Sequence, residues 1–284
     1  MKILMTGSEG MLGSDIIEIL KKEHQVIGFD KEQLDITDRS ALEAAFNMHQ
    51  PELVLHLAAL TDLDYCERNP VDAFKVNTEA TADIAELCAL HGSNMIYIST
   101  SGVFQGNRKK PYSEDDIPNP VSIYGQSKYN GEKEVRRFLD DDSWLILRAG
   151  WLFGGGNRDK KFVGKMYKLM KKLDEVKVVD DIYGSPVYTK DFGETIQFLI
   201  AKKASGLYHI VNEGIVSRYE IALEMKSIVG FDTKTQRASA DEFPAVAPRP
   251  PMEGIVSHNL KERYEYRLRN WKEALGEYLK RLDK

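Results

Sequence analysis

A tyrosine and a lysine four residues apart, Tyr124 and Lys128, could together move a proton to or from a bound substrate. In a helix this spacing places both side chains on one face, one turn from each other. A phenol has an ordinary pKa of about 10, and a neighbouring ammonium group lowers that pKa. The pair therefore predicts a general acid that works near neutral pH. A solvated first helical turn would show the same spacing and is the alternative.

Three regularly spaced glycines follow the first predicted strand. Residues 2–6 are short and apolar and predict a buried strand, and Gly7, Gly10 and Gly13 then lead into an amphipathic helix. A strand, a glycine-rich turn and a helix form the arrangement in which a dinucleotide pyrophosphate lies on the helix N-terminus. A plain tight turn between strand and helix is the alternative.

An acidic residue ends the second predicted strand, residues 25–29. Asp30 lies where a carboxylate would bind the ribose hydroxyls of a dinucleotide, and it favours NAD because it repels a 2′-phosphate. Its neighbour Lys31 would weaken that preference. A strand-end carboxylate that faces water is the alternative. After the third predicted strand, the small residues Ala58 and Ala59 leave room for the adenosine side of the dinucleotide.

Three hydroxyl residues, Ser99, Thr100 and Ser101, follow the fourth predicted strand, residues 95–98. Doubly wound sheets bind their ligands at this end of the strands. We therefore expect a hydroxyl here to donate a hydrogen bond to a substrate carbonyl beside Tyr124. Capping of a helix or turn is the alternative.

Strands alternate with helices up to about residue 150, which predicts an α/β fold of the Rossmann type with a doubly wound parallel sheet. His56 lies inside an apolar strand and is expected to be a hydrogen-bonded core histidine rather than a base. The expected division is a dinucleotide-binding domain, residues 1–155 with 180–212, and a smaller C-terminal substrate-binding lobe, residues 156–179 and 213–284.

Local patterns predict further elements. Residues 72–90 predict one long helix, and residues 180–188 a loop. The last helix is expected to begin at Asn270, with Glu273 placed as in a capping box. One side of this helix carries an apolar stripe that predicts packing against the core, formed by Trp271, Ala274, Leu275, Tyr278, Leu279 and Leu282.

Composition limits the function classes. The net charge of −5 and the pI of about 5.8 argue against a nucleic-acid partner, since no basic footprint is present. The two cysteines, Cys66 and Cys88, lack metal spacing and suit core packing in a reducing cytoplasm. The histidines form no ligand pattern, so no metal is expected. The chain shows no signal peptide and no apolar run of membrane-spanning length, which predicts a cytoplasmic protein without membrane contact.

Taken together, several motifs resemble the extended short-chain dehydrogenase/reductase family over essentially the whole chain, and within it the dTDP-4-dehydrorhamnose reductases. The shared motifs are Thr6-Gly7-x-x-Gly10-x-x-Gly13, Leu34-Asp35-Ile36-Thr37-Asp38, Ala58-Ala59, Asn69-Pro70 with Asn77, Ser99-Thr100-x-x-Val103-Phe104-x-Gly106, Tyr124-x-x-x-Lys128, Trp151-Leu152-Phe153-Gly154, Gly184-Ser185-Pro186 and Arg249-Pro250.

The resemblance implies a reductase that uses NADP or NAD and acts on a nucleotide diphospho-sugar with a 4-keto group. It implies a catalytic triad of Thr100, Tyr124 and Lys128. Trp151 and Ser101 would lie near the sugar, and Arg249 near the nucleotide diphosphate. A homodimer is compatible with it. The implied cofactor-binding residues are Gly7, Gly10, Met11, Leu12, Asp30, Asp35, Ile36, Ala58, Ala59, Asn77, Ser99, Tyr124 and Lys128.

The chain departs from the family pattern in its substrate region. Ser101 and Gly102 replace an aspartate and a tyrosine, and Glu253 and Ile255 replace a serine and a leucine. These changes leave the identity of the sugar and of the nucleotide open. Two other functions of the same fold remain: a nucleotide-sugar epimerase or dehydratase, and a dinucleotide-binding regulatory subunit resembling that of methionine adenosyltransferase.

Overall fold

The computed structural model describes residues 1–282. The part of the chain before residue 150 alternates strands and helices. Its elements are β1 (Lys2–Thr6), α1 (Met11–Leu20), β2 (Gln25–Phe29), α2 (Arg39–His49), β3 (Leu53–His56), α3 (Leu63–Arg68), α4 (Pro70–Phe74), α5 (Ala80–His91), β4 (Asn94–Thr100), α6 (Ile123–Phe138) and β5 (Trp144–Ala149). A π-helical turn, Lys75–Glu79, joins α4 to α5, and a 3-10 turn, Ser101–Val103, follows β4.

Shorter strands interrupt the helices in the remainder of the described chain. The elements are β6 (Trp151–Phe153), α7 (Phe162–Met170), β7 (Glu175–Val179), β8 (Tyr183–Gly184), β9 (Pro186–Tyr188), α8 (Thr189–Ala201), β10 (Gly206–Ile210), β11 (Val216–Ser217), α9 (Arg218–Val229), β12 (Lys234–Ala238), α10 (His258–Tyr264) and α11 (Trp271–Leu282). Two 3-10 turns, Gly156–Arg158 and Ala240–Glu242, complete this part.

The central sheet has six parallel strands in the order β10, β5, β4, β3, β1, β2. Most residues of β1, β3, β4 and β5 are buried, which explains why these strands appear in the sequence as continuous apolar runs rather than as alternating ones. The predicted α/β fold with a parallel sheet is thereby confirmed.

Alternate residues of the strands point to opposite faces of the sheet and pack into two separate apolar layers. Ile3 and Met5 point to the layer that also contains Ile16 of α1 and Phe192 of α8. The opposite layer contains Leu4 with the helices α2, α5 and α6. Helices thus cover both faces of the sheet.

A third apolar cluster lies outside the sheet and joins α7, α9, α11 and β7. The apolar stripe of the last helix packs into it as predicted, with Trp271, Ala274, Leu275, Tyr278 and Leu279 buried. Parallel pairs β7–β12 and β6–β9 frame this cluster.

Two local predictions differ from the structure. The predicted loop over residues 180–188 contains β8 and β9, which pair with β11 and β6. The predicted single helix over residues 72–90 is interrupted by the π-helical turn. In that turn the Asn77 side chain bonds the backbone of Leu60 in both directions, at 2.8 and 3.0 Å. These tertiary contacts pin Asn77, where the helical backbone departs from regular α geometry.

Candidate active site

The glycine loop is packed too closely for any other residue. Gly7 has a φ of +71°, and a Cβ there would come within 2.8 Å of the Ala58 backbone nitrogen. A Cβ on Gly13 would lie 2.3 Å from the Gly7 carbonyl oxygen. The loop therefore turns tightly beside the end of β3. It directs the first turn of α1, which begins with Met11 and Leu12, toward the cleft at the carboxyl ends of the parallel strands. The free amides of such a turn fit a dinucleotide pyrophosphate.

The acidic residues predicted to bind the cofactor lie after β2. The Asp30 carboxylate accepts hydrogen bonds from the backbone of Glu32 and Gln33, at 2.9 and 3.1 Å, and this fixes its position at the strand end. Asp35 accepts from the backbone and the hydroxyl of Thr37, and these bonds lower its pKa. The side chain of Ile36 packs into the core.

The hydroxyl residues at the end of β4 point in different directions. Thr100 accepts a hydrogen bond from the Gly102 amide at 3.0 Å and lies beside Tyr124. Ser99 instead donates to the buried carboxylate of Glu132 at 2.5 Å, on the opposite face of the strand. Ser101 is buried in the 3-10 turn. Of the three hydroxyls, that of Thr100 is the one in position to act with the phenol.

A glycine within the Tyr124–Lys128 segment brings α6 against this turn. A Cβ on Gly125 would lie 2.1 Å from the Gly102 carbonyl oxygen. Ser122 caps the helix by accepting from the Gly125 amide. Asn77 donates to the Ser127 hydroxyl at 3.0 Å and so connects the turn after β3 to the same helix. These contacts hold the Tyr124 ring beside Thr100.

The protonation of Tyr124 differs from the expectation that Lys128 lowers its pKa. Burial raises the pKa of Tyr124 to about 12, and only the Thr100 hydroxyl acts in the lowering direction. The expectation of a lowered pKa is wrong, because loss of solvation on burial is the largest influence on the phenol. The phenol is therefore a firmly protonated donor.

Lys128 is buried without an anionic partner in the described part of the chain. Its ammonium group lies 4.0 Å from the centroid of the Tyr97 ring, and it forms no hydrogen bond or ion pair with residues 1–282. Burial lowers its pKa to about 7, with Glu132 on the next helical turn acting in the opposite direction. A ligand that supplies hydrogen-bond acceptors would therefore bind favourably to this ammonium group.

A buried polar network, which the sequence did not indicate, connects α6 to the central sheet. Arg148 of β5 donates to both oxygens of Glu132, at 2.8 and 2.7 Å, and both side chains are almost fully buried. Because breaking such a pair leaves a buried charge unpaired, it fixes α6 against the sheet. His56 is buried between the hydroxyls of Thr6 and Thr81, and burial lowers its pKa to about 3, which confirms it as a core histidine.

The opposite wall of the cleft comes from the later part of the chain. The indole nitrogen of Trp151 donates to Glu253 at 2.5 Å. Gly184 packs against the Trp151 ring, where a Cβ would lie 2.2 Å from Cε2. The Arg218 guanidinium lies 4.9 Å from the centroid of the same ring. Trp151 is thus held in one orientation by contacts from three separate segments.

Positive charges converge beside this tryptophan. Arg249, which was predicted to bind the nucleotide diphosphate, forms an ion pair with Asp64 at 2.9 Å in this structure. Arg218 has no carboxylate partner among the described residues, and burial lowers its pKa. Lys161 donates weakly to Thr61 and is close enough to Arg218 for each charge to disfavour the other. Arg218 and Lys161 were missed because isolated cations carry no local sequence signal.

The segment after β6 spans the cleft from the glycine loop to the end of β3. The amide of Gly155 donates to Asp15 of α1 at 2.9 Å, and Arg158 pairs with Glu9 at 3.1 Å. Lys161 then reaches the Thr61 hydroxyl at 3.3 Å. The two ends of this segment therefore contact both sides of the groove into which the glycine loop points.

Within residues 1–282, no helix combines the length and apolar character required to cross a bilayer. In the same part of the chain, no three His, Cys, Asp or Glu side chains are arranged to hold a metal ion. Both cysteines are buried and free, as expected for core packing.

The six-stranded parallel sheet, the glycine loop and the Thr100, Tyr124 and Lys128 side chains at its strand ends define an extended short-chain dehydrogenase/reductase. The model of the RmlD substrate binding domain matches residues 1–284, and the chain belongs to that family. The predicted resemblance is confirmed.

Individual relatives match over nearly their full length. The spore coat polysaccharide biosynthesis protein SpsK of Bacillus subtilis (strain 168) is 36% identical over 279 residues, which cover 98% of this chain and 96% of SpsK. The crystal structure of a dTDP-4-dehydrorhamnose reductase from Clostridium acetobutylicum ATCC 824 superposes with a TM-score of 0.96 at 36% identity and full coverage of both chains. The dTDP-4-dehydrorhamnose reductase of Bacillus anthracis str. Ames, solved in complex with NADP, gives a TM-score of 0.94 at 33% identity and 99% coverage of each chain.

Proposed function

We propose that this chain reduces the 4-keto group of a dTDP-linked 6-deoxysugar, as a dTDP-4-dehydrorhamnose reductase does, in deoxysugar biosynthesis. The observation that carries the proposal is the placement of Thr100, Tyr124 and Lys128. They lie together at the end of β4, on the side of the sheet to which the glycine loop also points. The names of the relatives supply the sugar and the nucleotide.

The cofactor cradle supports a dinucleotide by its shape. The close approach of Gly7 and Gly13 to neighbouring backbone leaves the start of α1 open to a pyrophosphate. Asp30 is positioned for the adenosine ribose, and the exposed Lys31 beside it is compatible with a 2′-phosphate. The cofactor is accordingly NADPH or NADH.

Proton transfer follows from the state of the side chains. When bound, the reduced nicotinamide supplies the hydride that reduces the C4 carbonyl carbon of the sugar. Tyr124 donates its proton to the carbonyl oxygen, and the Thr100 hydroxyl orients that oxygen. The phenolate that remains is stabilised by the ammonium group of Lys128, which also offers hydrogen bonds to the nicotinamide ribose. The ketone thereby becomes a secondary alcohol.

The other wall of the cleft suits a nucleotide sugar. Arg218, Arg249 and Lys161 lie close together beside the aromatic ring of Trp151. Guanidinium groups match the geometry of a diphosphate, and an aromatic face packs well on a sugar or base. This wall forms part of the proposed substrate-binding lobe, which is supported by its separate apolar cluster. A homodimer and a cytoplasmic location remain predictions.

Purified protein incubated with dTDP-4-dehydrorhamnose tests the proposal. We expect one molecule of NADPH or NADH to be oxidised for each sugar reduced. The loss of absorbance of the reduced nicotinamide measures this oxidation. Comparing kcat/KM for the two cofactors then measures the preference set by Asp30 and Lys31. Conversion of the sugar without net oxidation of the cofactor would contradict the reductase and support an epimerase of the same fold.

A further inference from the structure

Glu253 comes from an irregular segment whose backbone is nevertheless firmly held. Its amide donates to the Tyr183 carbonyl at 2.7 Å. On one side of it, the Met252 amide donates to Gly106 at 3.2 Å, and on the other side Gly254 accepts from Tyr112 at 2.9 Å. The segment is therefore attached to β8 and to the loop that follows β4. These backbone hydrogen bonds fix the point from which the Glu253 side chain extends.

Only one of the two carboxylate oxygens is occupied. Oε2 accepts the hydrogen bond from the Trp151 indole. Oε1 accepts no hydrogen bond from residues 1–282, and Glu253 forms no ion pair with a cation of that part of the chain. The side chain is half-buried, so this oxygen has no sealed environment of its own. A half-buried carboxylate oxygen without a protein donor is a ready acceptor for a ligand.

The charge of Glu253 acts on both ends of the cleft. It adds to the effect of burial in raising the pKa of Tyr124, which places it near the reacting phenol. It also opposes the lowering by burial of the pKa of Arg218, which places it near the convergent cations. The carboxylate, which is bonded to Trp151, is therefore near both the proton donor and the cations of the proposed diphosphate site.

We propose that Glu253 determines specificity for the sugar: Oε2 fixes the Trp151 indole, and Oε1 accepts a hydrogen bond from a non-reacting ring hydroxyl of the keto-sugar. This inference rests on the proposed reductase function and deepens it. A hydrogen bond to a charged acceptor contributes more than a neutral one, and a pocket that carries such an acceptor rejects a sugar that lacks the hydroxyl. Glu253 is a binding and positioning residue and takes no part in proton transfer.

Replacement of Glu253 by Gln tests this role with two ligands that share a nucleotide. We expect Glu253→Gln to weaken binding of dTDP-rhamnose by about 10-fold, as measured by calorimetry, because a charged acceptor is replaced by a neutral one. Binding of dTDP alone should change less than about twofold, since it has no sugar. Reduction of dTDP-4-dehydrorhamnose should show a higher KM with a smaller change in kcat, and the KM for the cofactor should stay the same.

Glu23→Gln, which removes an exposed carboxylate in the turn after α1, is the matched control and should leave every value unchanged. Equal weakening of dTDP and dTDP-rhamnose by Glu253→Gln would show a disturbed lobe and overturn the inference. Unchanged affinity for dTDP-rhamnose would overturn it as well.

An experiment on the wild-type protein avoids any folding defect of the variant. Analogues of the substrate that lack the 2-hydroxyl or the 3-hydroxyl are compared with the parent keto-sugar. We expect kcat/KM to fall about 10-fold or more for one of the two. Equal values for all three sugars would exclude the hydrogen bond. If the protein reduced none of them, the proposed function itself would fail, which is distinguishable from reduction without discrimination.

Discussion

Helix α6 carries two tyrosine–lysine pairs of the same spacing, and their surroundings make them chemically different. Tyr124 and Lys128 face the cleft, and the lysine is buried without an anionic partner among residues 1–282. Tyr129 packs against a small apolar cluster, while the exposed Lys133 lies 4.7 Å from its ring and donates to Asn130 at 2.9 Å. The first pair can act on a ligand, whereas in the second pair the tyrosine packs against apolar side chains and the lysine faces solvent.

The comparison shows that the four-residue spacing brings a tyrosine and a lysine close together but does not by itself give them a catalytic role. The surroundings supply the chemistry, because the Thr100 hydroxyl and the Gly102 backbone lie beside the first pair, whereas Tyr129 packs with the apolar side chains of Val103 and Phe104. Burial then sets the protonation of Tyr124 and Lys128 in opposite directions, since the phenol stays neutral and the ammonium group is pushed toward neutrality. Each pair can therefore serve as the control for the other.

The largest effect is expected on catalysis. Tyr124→Phe should lower kcat for the keto-sugar by about 1,000-fold, because the proton donor is lost, and leave cofactor affinity nearly intact. Tyr129→Phe removes the hydroxyl of the second pair and should change kcat less than about twofold. Steady-state kinetics and a cofactor titration measure both. Comparable losses in the two variants would contradict the difference between the pairs.

The next effect is on stability and depends on pH. Lys128 has a lowered pKa of about 7 when folded and an ordinary value of 10.5 when unfolded, so the unfolded chain binds more protons between these values. The contribution of Lys128 to wild-type stability should therefore rise with pH through this window. Lys128→Met removes the cost of burying a charge and should stabilise the protein by about 4 kcal/mol more at the low end of the window than at the high end.

Urea unfolding of the variants at the two ends of that window provides the measurement. Lys133→Met, at the exposed position, should show the same difference from the wild type at both pH values. A gain in stability for Lys128→Met that did not vary with pH would mean that Lys128 is not the group whose protonation differs between folded and unfolded chains.

A smaller effect is expected from the glycine that brings the first pair to the strand end. Gly125→Ala places a methyl group against the Gly102 carbonyl and should cost about 2 kcal/mol of stability through overpacking. It should also reduce kcat by moving Tyr124 away from Thr100. Gly102→Ala is the matched change, since its methyl would lie 3.4 Å from the Thr100 hydroxyl and fits with little strain. Similar unfolding midpoints for the two variants would disprove the close contact.

The cofactor side was largely predictable from the sequence because its signals are consecutive. The signals are the apolar strand of residues 2–6, the glycines that directly follow it, and Asp30 at the end of the next strand. The structure brings these residues together at the carboxyl ends of the strands. His56 could likewise be assigned to the core from its apolar neighbours. Local patterning suffices where one strand, one turn and one helix build the site.

The other wall of the cleft was less predictable because it is assembled over long distances in sequence. Trp151 meets Glu253 and Arg218, and no local pattern indicates that these residues converge. The strands β8 and β9 are too short for periodicity to reveal. The pKa of Tyr124 was predicted with the wrong sign, since spacing indicates a neighbouring charge but not the extent of burial.

The position of β10 at the edge of the sheet, next to β5, has a consequence for synthesis. Strands β1 to β5 are complete by residue 149, but the strand that covers β5 begins only at residue 206. A growing chain therefore exposes an unpaired, apolar edge of β5 while the intervening segment is made. During that interval the exposed edge of β5 is open to pairing with other strands, and this exposure ends when residues up to 210 have emerged and β10 has paired.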